Sequence, residues 1–178
     1  MTDAEREIEK ILEKESDPLH AALRAARMPA YHRVRELMES CDSCPIGADC
    51  VARTLPASGD DPIIMVIGDF PTKYQDSKGG AGTMKEGPEW DNVLGKALGA
   101  FQVDDRYICF MNAVGCSPYK EVNGKKIRRQ PKSDEMSACK FYVDYMIQAV
   151  DPAVIILLGN YALNMFKHDR LNTRRKPL

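Results

Sequence analysis

Residues 63–71 read I-I-M-V-I-G-D-F-P. Five apolar residues run without interruption between Pro62 and Gly68. An unbroken run of this length suits a strand covered on both faces, as in a parallel sheet. Two further runs share the pattern. Residues 107–111 (Y-I-C-F-M) lead to Asn112, and residues 153–158 (A-V-I-I-L-L) lead to Gly159-Asn160. Helical spacing fills the gaps. Trp90, Val93, Leu94, Ala97 and Leu98 mark one helix. Met136, Cys139, Val143, Met146, Ile147 and Val150 mark a second, with Ser133 as the expected N-cap, Asp134 and Glu135 in its first turn, and Asp151-Pro152 as its stop. A short third helix is expected over 161–167. Strand, helix, strand, helix, strand, helix predicts a doubly wound α/β domain, three layers with a central mainly parallel β-sheet. Ligands of such folds gather at the carboxyl ends of the strands. Here those ends are Gly68-Asp69, the stretch from Asn112 to Cys116, and Gly159-Asn160. Residues 56–62, 69–89 and the basic stretch after Cys116 read as loops. So long a loop after a buried strand is usually functional.

Upstream, the first 40 residues read as a helical extension. One helix is expected over 2–15. A second starts at Asp17-Pro18 and carries Leu19, Leu23, Ala26 and Met28. Pro29 is expected to break it, and a third helix with Tyr31, Val34, Leu37 and Met38 runs to Cys41. The division predicted is therefore 1–40, extension, and 41–178, the α/β domain. The charged N-terminus is no signal peptide, and no apolar run approaches the roughly 20 residues of a membrane span. A cytoplasmic, nucleoid-associated protein is expected. The net charge is −1 over 178 residues, but it is unevenly spread. The first 16 residues hold six acids against three bases; residues 120–132 hold six bases against one acid, and residues 167–176 five against one. Local basic patches bind phosphates whatever the sum, although such runs are as often solvated loops.

Six cysteines in a cytoplasmic chain point away from a disulfide framework. Cys41 and Cys44 form a C-x-x-C pair just after a helix, which is not the strand-then-helix setting of a thioredoxin-type redox motif. Cys116 lies beyond the second strand and Cys139 one turn into the next helix, so the fold can bring all four to one edge of the sheet. Four thiolates suit zinc or a 4Fe–4S cluster, and spacing alone does not choose. Buried thiols are the alternative for Cys116 and Cys139. Cys109, mid-strand, reads as core. Cys50 ranks below the four.

These blocks together resemble a known family. C-D-S-C-P-I-G-A-D-C followed by I-I-M-V-I-G-D-F-P is similar to the start of the family 4 (iron–sulfur) uracil-DNA glycosylases, where a C-x-x-C precedes a strand ending in G-E-x-P-G. Y-I-C-F-M-N-A-V-G-C-S-P resembles the family's strand ending in Asn, then a cluster cysteine and proline. E-M-S-A-C-K, running on to V-D-P-A-V-I-I-L-L-G-N-Y-A, resembles its cysteine helix and following strand. The likeness covers about residues 41–166. It implies that Cys41, Cys44, Cys116 and Cys139 hold a 4Fe–4S cluster, with zinc the runner-up. It implies a base-flipping pocket, since the glycosidic bond is inaccessible inside the stack. Asn112 matches the residue that reads uracil through its amide. Asp69 matches the motif acid that orients water and stabilises the cationic sugar. Gly68, Phe70, Pro71, Asp76 and Met84 match positions beside the base.

The chain also departs from the family pattern. The acid is Asp where the family has Glu, and Thr72 replaces a glycine. The acidic pair reads Gln75-Asp76, and Gly82 or Met84 stands where an aromatic stacks on uracil. The family's fourth strand and later His-Pro motif have no counterpart before Leu178; His168 comes too early and reads as a surface residue. The leading expectation is a glycosylase acting on uracil in single- or double-stranded DNA. The alternative is a degenerate module of the same fold that grips DNA or a replication or repair protein. A zinc-stabilised structural protein comes third.

Overall fold

In the computed structural model, which describes Arg6 and residues 18–48, 53–77, 94–100 and 102–167, the three apolar runs become adjacent parallel strands. The strands are β1 (Ala57–Ser58), β2 (Ile64–Gly68), β3 (Ile108–Asn112), β4 (Tyr119–Val122), β5 (Lys125–Arg128) and β6 (Val154–Leu158). The helices are α1 (Pro18–Glu39), α2 (Pro45–Ala48), α3 (Lys73–Ser77), α4 (Gly95–Ala100), α5 (Ser133–Val150) and α6 (Asn160–Phe166), with a 3₁₀ turn at Asp105–Tyr107. The sheet order is β1-β3-β2-β6, with β1 antiparallel and the other three parallel. Ile64 stands level with Ile108 on one side and Val154 on the other. The expected helix over 2–15, apart from Arg6, and Cys50, Met84, Trp90, Val93 and His168 lie outside the described residues.

Alternation along the strands makes the three layers. Met65, Ile67, Cys109 and Met111 face one side and pack with Tyr31, Val34 and Met38 of α1, Val143, Met146 and Val150 of α5, and Ala162, Met165 and Phe166 of α6. Val66, Ile108 and Phe110 face the other side and pack with Leu98 of α4. Full burial of one such side chain contributes about 1.5–3 kcal/mol.

Several local expectations are corrected. Pro29 sits inside α1 rather than ending it. It is exposed, so the carbonyl that loses its helical donor stands where water can serve it. Glu135, not Ser133, caps α5: its Oε2 accepts from the Lys132 amide at 2.6 Å, and Ser133 is already the first helical residue. The basic stretch is a β-hairpin, not a loop. Tyr119 pairs with Arg128 and Val122 with Lys125, around Asn123 (φ 52°) and Gly124 (φ 73°). Positive φ at both central positions is what an Asn-Gly hairpin turn requires. The strand over 153–158 is only half-buried, because β6 is an edge of the sheet among the described residues.

Candidate functional site

β2 and β3 run side by side to their carboxyl ends, where Gly68 and Asn112 are register partners. The ladder continues past them: the Ala113 amide donates to Gly68 O at 2.7 Å, and the Val114 amide to Asp69 O at 3.0 Å. Asn112 is therefore fixed next to the turn that carries Asp69, Phe70 and Pro71. It is 4% exposed, and its Nδ2 is buried with no hydrogen-bond partner among the described residues. Buried amide donors are normally satisfied, so an orphan at a strand end is a group awaiting a partner.

Asp69 is held from across the chain. Its Oδ1 accepts from the amides of Tyr161 (2.8 Å) and Ala162 (2.9 Å), at the first turn of α6. Oδ2 has no hydrogen-bond partner among the described residues. Gly159 permits this approach. It has φ 110°, and a Cβ there would lie 2.3 Å from the Asp69 carboxylate. Asp69, Phe70, Pro71, Thr72, Lys73, Tyr74 and Arg128 line a cleft of about 520 Å³, within the usual range of small-ligand sites. The Phe70 ring meets Tyr161 edge-on, centroids 5.4 Å apart. Behind Thr72, two bonds close a capping box that the T-x-x-Q spacing could have announced. The Thr72 amide donates to Gln75 Oε1 at 2.8 Å, and the Gln75 amide to Thr72 Oγ1 at 3.2 Å. Thr72 and Gln75 thus build the start of α3. Of the positions expected beside the base, Phe70 and Pro71 line the cleft and Gly68 is buried beneath it. Asp76 falls in α3, but its side chain lies outside the described residues, as does Met84.

Three of the four cysteines gather in the apolar cluster that Phe70 packs against, and Cys41 lies within electrostatic reach of Cys139. Cys116, Val114 and Ile46 form a buried cluster against which Cys44, Cys139, Met136 and Phe70 pack. Cys41 and Cys139 both act electrostatically on Tyr142. Arg53, which sequence reading passed over, holds the arrangement. Its backbone bridges to Cys116, while its guanidinium donates to the carbonyls of Cys41 and, at 2.6 Å, Gly47. Burial pushes the Cys139 thiol up to about 11; the Gly115 backbone works against this, and nearby Cys44 and Cys41 add to it. Burial also raises Cys41, but hydrogen bonds with Tyr142 and Ser43, together with Arg53, leave it below the ordinary thiol value. Cys109 is 0% exposed in the core, pushed up to about 12 by burial.

Among the described residues no three His, Cys, Asp or Glu side chains gather closely enough to grip a single metal ion. Ligation of a cluster, one thiolate to each iron, asks for wider separation. Four thiols that form no disulfide, set about an apolar cluster, are a donor set that fits such a group.

Alongside, Arg129 ties the hairpin to α5. It donates to Tyr119 O at 3.0 Å and pairs bidentately with Glu135, through Nη1 at 2.7 Å and through Nη2. Glu135 is 2% exposed. This pair, too, was invisible to spacing rules.

Comparison with known proteins bears on this geometry. The chain matches the uracil DNA glycosylase superfamily over residues 56–176. It is 26% identical over 133 residues to the type-4 uracil-DNA glycosylase of Thermotoga maritima, covering 75% of this chain and 64% of that protein. It is 24% identical over 136 residues to the type-4 uracil-DNA glycosylase of Sulfurisphaera tokodaii, covering 76% and 57%. The matched part therefore spans less than two thirds of either relative.

Proposed function

The chain belongs to the uracil DNA glycosylase superfamily, and from that premise we propose that it is an iron–sulfur member that binds DNA, takes a flipped uracil at the ends of β2 and β3, and hydrolyses the N-glycosidic bond. The observation that carries this reading is the buried, unpartnered Nδ2 of Asn112. An amide presents a donor and an acceptor side by side, the complement of an edge of uracil. The free Asn112 donor would gain its missing partner when the base enters. The cleft that opens from the neighbouring Asp69–Pro71 turn has room for a nucleobase. Asp69, fixed through Oδ1, keeps Oδ2 to orient a water and to stabilise positive charge developing at the sugar C1′.

Cys41, Cys44, Cys116 and Cys139 would hold a 4Fe–4S cluster, which supplies a structural cross-link when bound. Phe70 packs on the cysteine pocket and also lines the cleft, so ligation stiffens one wall of the site.

The engagement of Asp69 as the cap of α6 favours one alternative: a module of the same fold that grips DNA without cutting it. Both readings meet the same assay. Protein purified without air is incubated with uracil-containing single- and double-stranded oligonucleotides, and alkali-labile sites are counted. Excision that collapses in Asn112→Ala is the expected result. Bound but intact DNA gives the binding module, and protein that neither cuts nor binds removes both.

A further inference from the structure

The hairpin β4–β5 carries adjacent arginines with different surroundings. Arg129 is bonded to Tyr119 O, Gln130 O and Glu135. Among the described residues, the Arg128 side chain has no such partners. Its guanidinium carbon lies 5.4 Å from the centre of the Phe70 ring, and it lines the same cleft as Asp69. Its Nε is buried without a hydrogen-bond partner, and no carboxylate pairs with it among the described residues. Asp69 is the acid of that cleft, yet the two do not form an ion pair. The cleft thus keeps a carboxylate and a guanidinium apart.

That separation matches the polarity of the bond to be cut. When C1′–N1 breaks, both electrons leave with the base and spread onto its carbonyl oxygens, while C1′ becomes cationic. Water adds its oxygen to C1′, and its proton passes to the departing base or to solvent. A carboxylate suits the sugar end and a guanidinium the base end.

We propose that Arg128 is an oxyanion-binding residue of the cleft that takes an anionic oxygen of the substrate, foremost that of the departing uracil. The inference rests on the reading of the cleft as a uracil site. A guanidinium would serve equally for a phosphate flanking the flipped nucleotide, and the test separates the two sources.

Arg128→Ala and Arg128→Lys are compared with the parent protein in single-turnover excision of uracil and of 5-fluorouracil, whose anion leaves more readily. Affinity for uracil-free DNA is followed against salt, and thermal melts check folding. If Arg128 serves the leaving base, uracil excision falls about 10²–10³-fold in Arg128→Ala. 5-Fluorouracil suffers less, Lys restores part of the loss, and affinity holds. If it serves a phosphate, affinity weakens and the slope of log affinity against log salt becomes shallower by about 0.9, with both bases affected equally. Unchanged rate and slope overturn the proposal, and so does an equal loss of rate on both bases at unchanged affinity. Should the parent protein fail to excise uracil, the glycosylase reading falls on that result; the salt slope still decides Arg128, and an unchanged slope overturns it.

Discussion

A buried amide donor left unpaired, as Nδ2 of Asn112 is, costs about 1–3 kcal/mol. Its removal relieves that cost while losing some packing, so the melting of Asn112→Ala should stay within about 1 kcal/mol of the parent. On the proposed reading excision should collapse, because the base would lose its reader. A variant that melts far lower would make Asn112 a structural amide instead. Gly159 and Asp69 make a second residue-scale case. An alanine at φ 110° carries about 1–3 kcal/mol of strain, and its Cβ would also collide with the carboxylate. In an Asp69→Ala background only the strain remains. A double-mutant cycle read by denaturant unfolding should therefore show Gly159→Ala costing at least about 1 kcal/mol less there. Simple additivity would mean that the two residues do not meet.

Among the elements, α5 depends on Glu135. Arg129 first, with the Lys132 amide helping against burial, holds its carboxyl below the ordinary value of 4.5. A carboxylate depressed by folding stabilises the fold above its unfolded value, and that contribution is lost as pH falls through the folded one. Glu135→Gln should lose about 3–5 kcal/mol at neutral pH, because Arg129 keeps a half-made pair. The gap to the parent should close as pH drops below about 4.5. A gap constant with pH would rule out the charged pair as its source.

The same elements show what the sequence could announce. The three central strands were legible because burial on both faces writes an unbroken apolar run. The hairpin is hard to read although Asn123-Gly124 suits its turn, since both of its strands are exposed and carry no apolar alternation. α1 continues through Pro29 because only exposure decides whether a proline-freed carbonyl is tolerated. That Cys44, Cys116 and Cys139 share one cluster was legible from their order between the strands and helices. Arg53, Arg129 with Glu135, and Asp69 with Tyr161 were not, since each depends on a partner that only folding brings near.

At the scale of the whole molecule, the proposed cluster would cross-link segments that sheet and helix packing join only partly. Cys41 and Cys44 sit in the turn between α1 and α2, Cys116 follows β3, and Cys139 lies on α5. α1 already packs on α5 through Tyr31, Val34 and Met38, so the helical extension and the α/β domain share one core. The α1–α2 turn is held by Arg53, which donates to the carbonyls of Cys41 and Gly47. If the thiols hold a cluster, ligation energy is part of folding energy. Cys41→Ala or Cys116→Ala should then give colourless protein lacking iron and sulfide, with early, broad unfolding. Cys109→Ala is the control. It removes a thiol from the centre of the sheet, at a cost of order 1 kcal/mol for the cavity, and should keep its full iron and its brown colour. Stable brown protein from Cys41→Ala or Cys116→Ala would remove that residue from the ligand set. Loss of iron from Cys109→Ala to the same extent would mean that iron content follows general stability and not these four thiols.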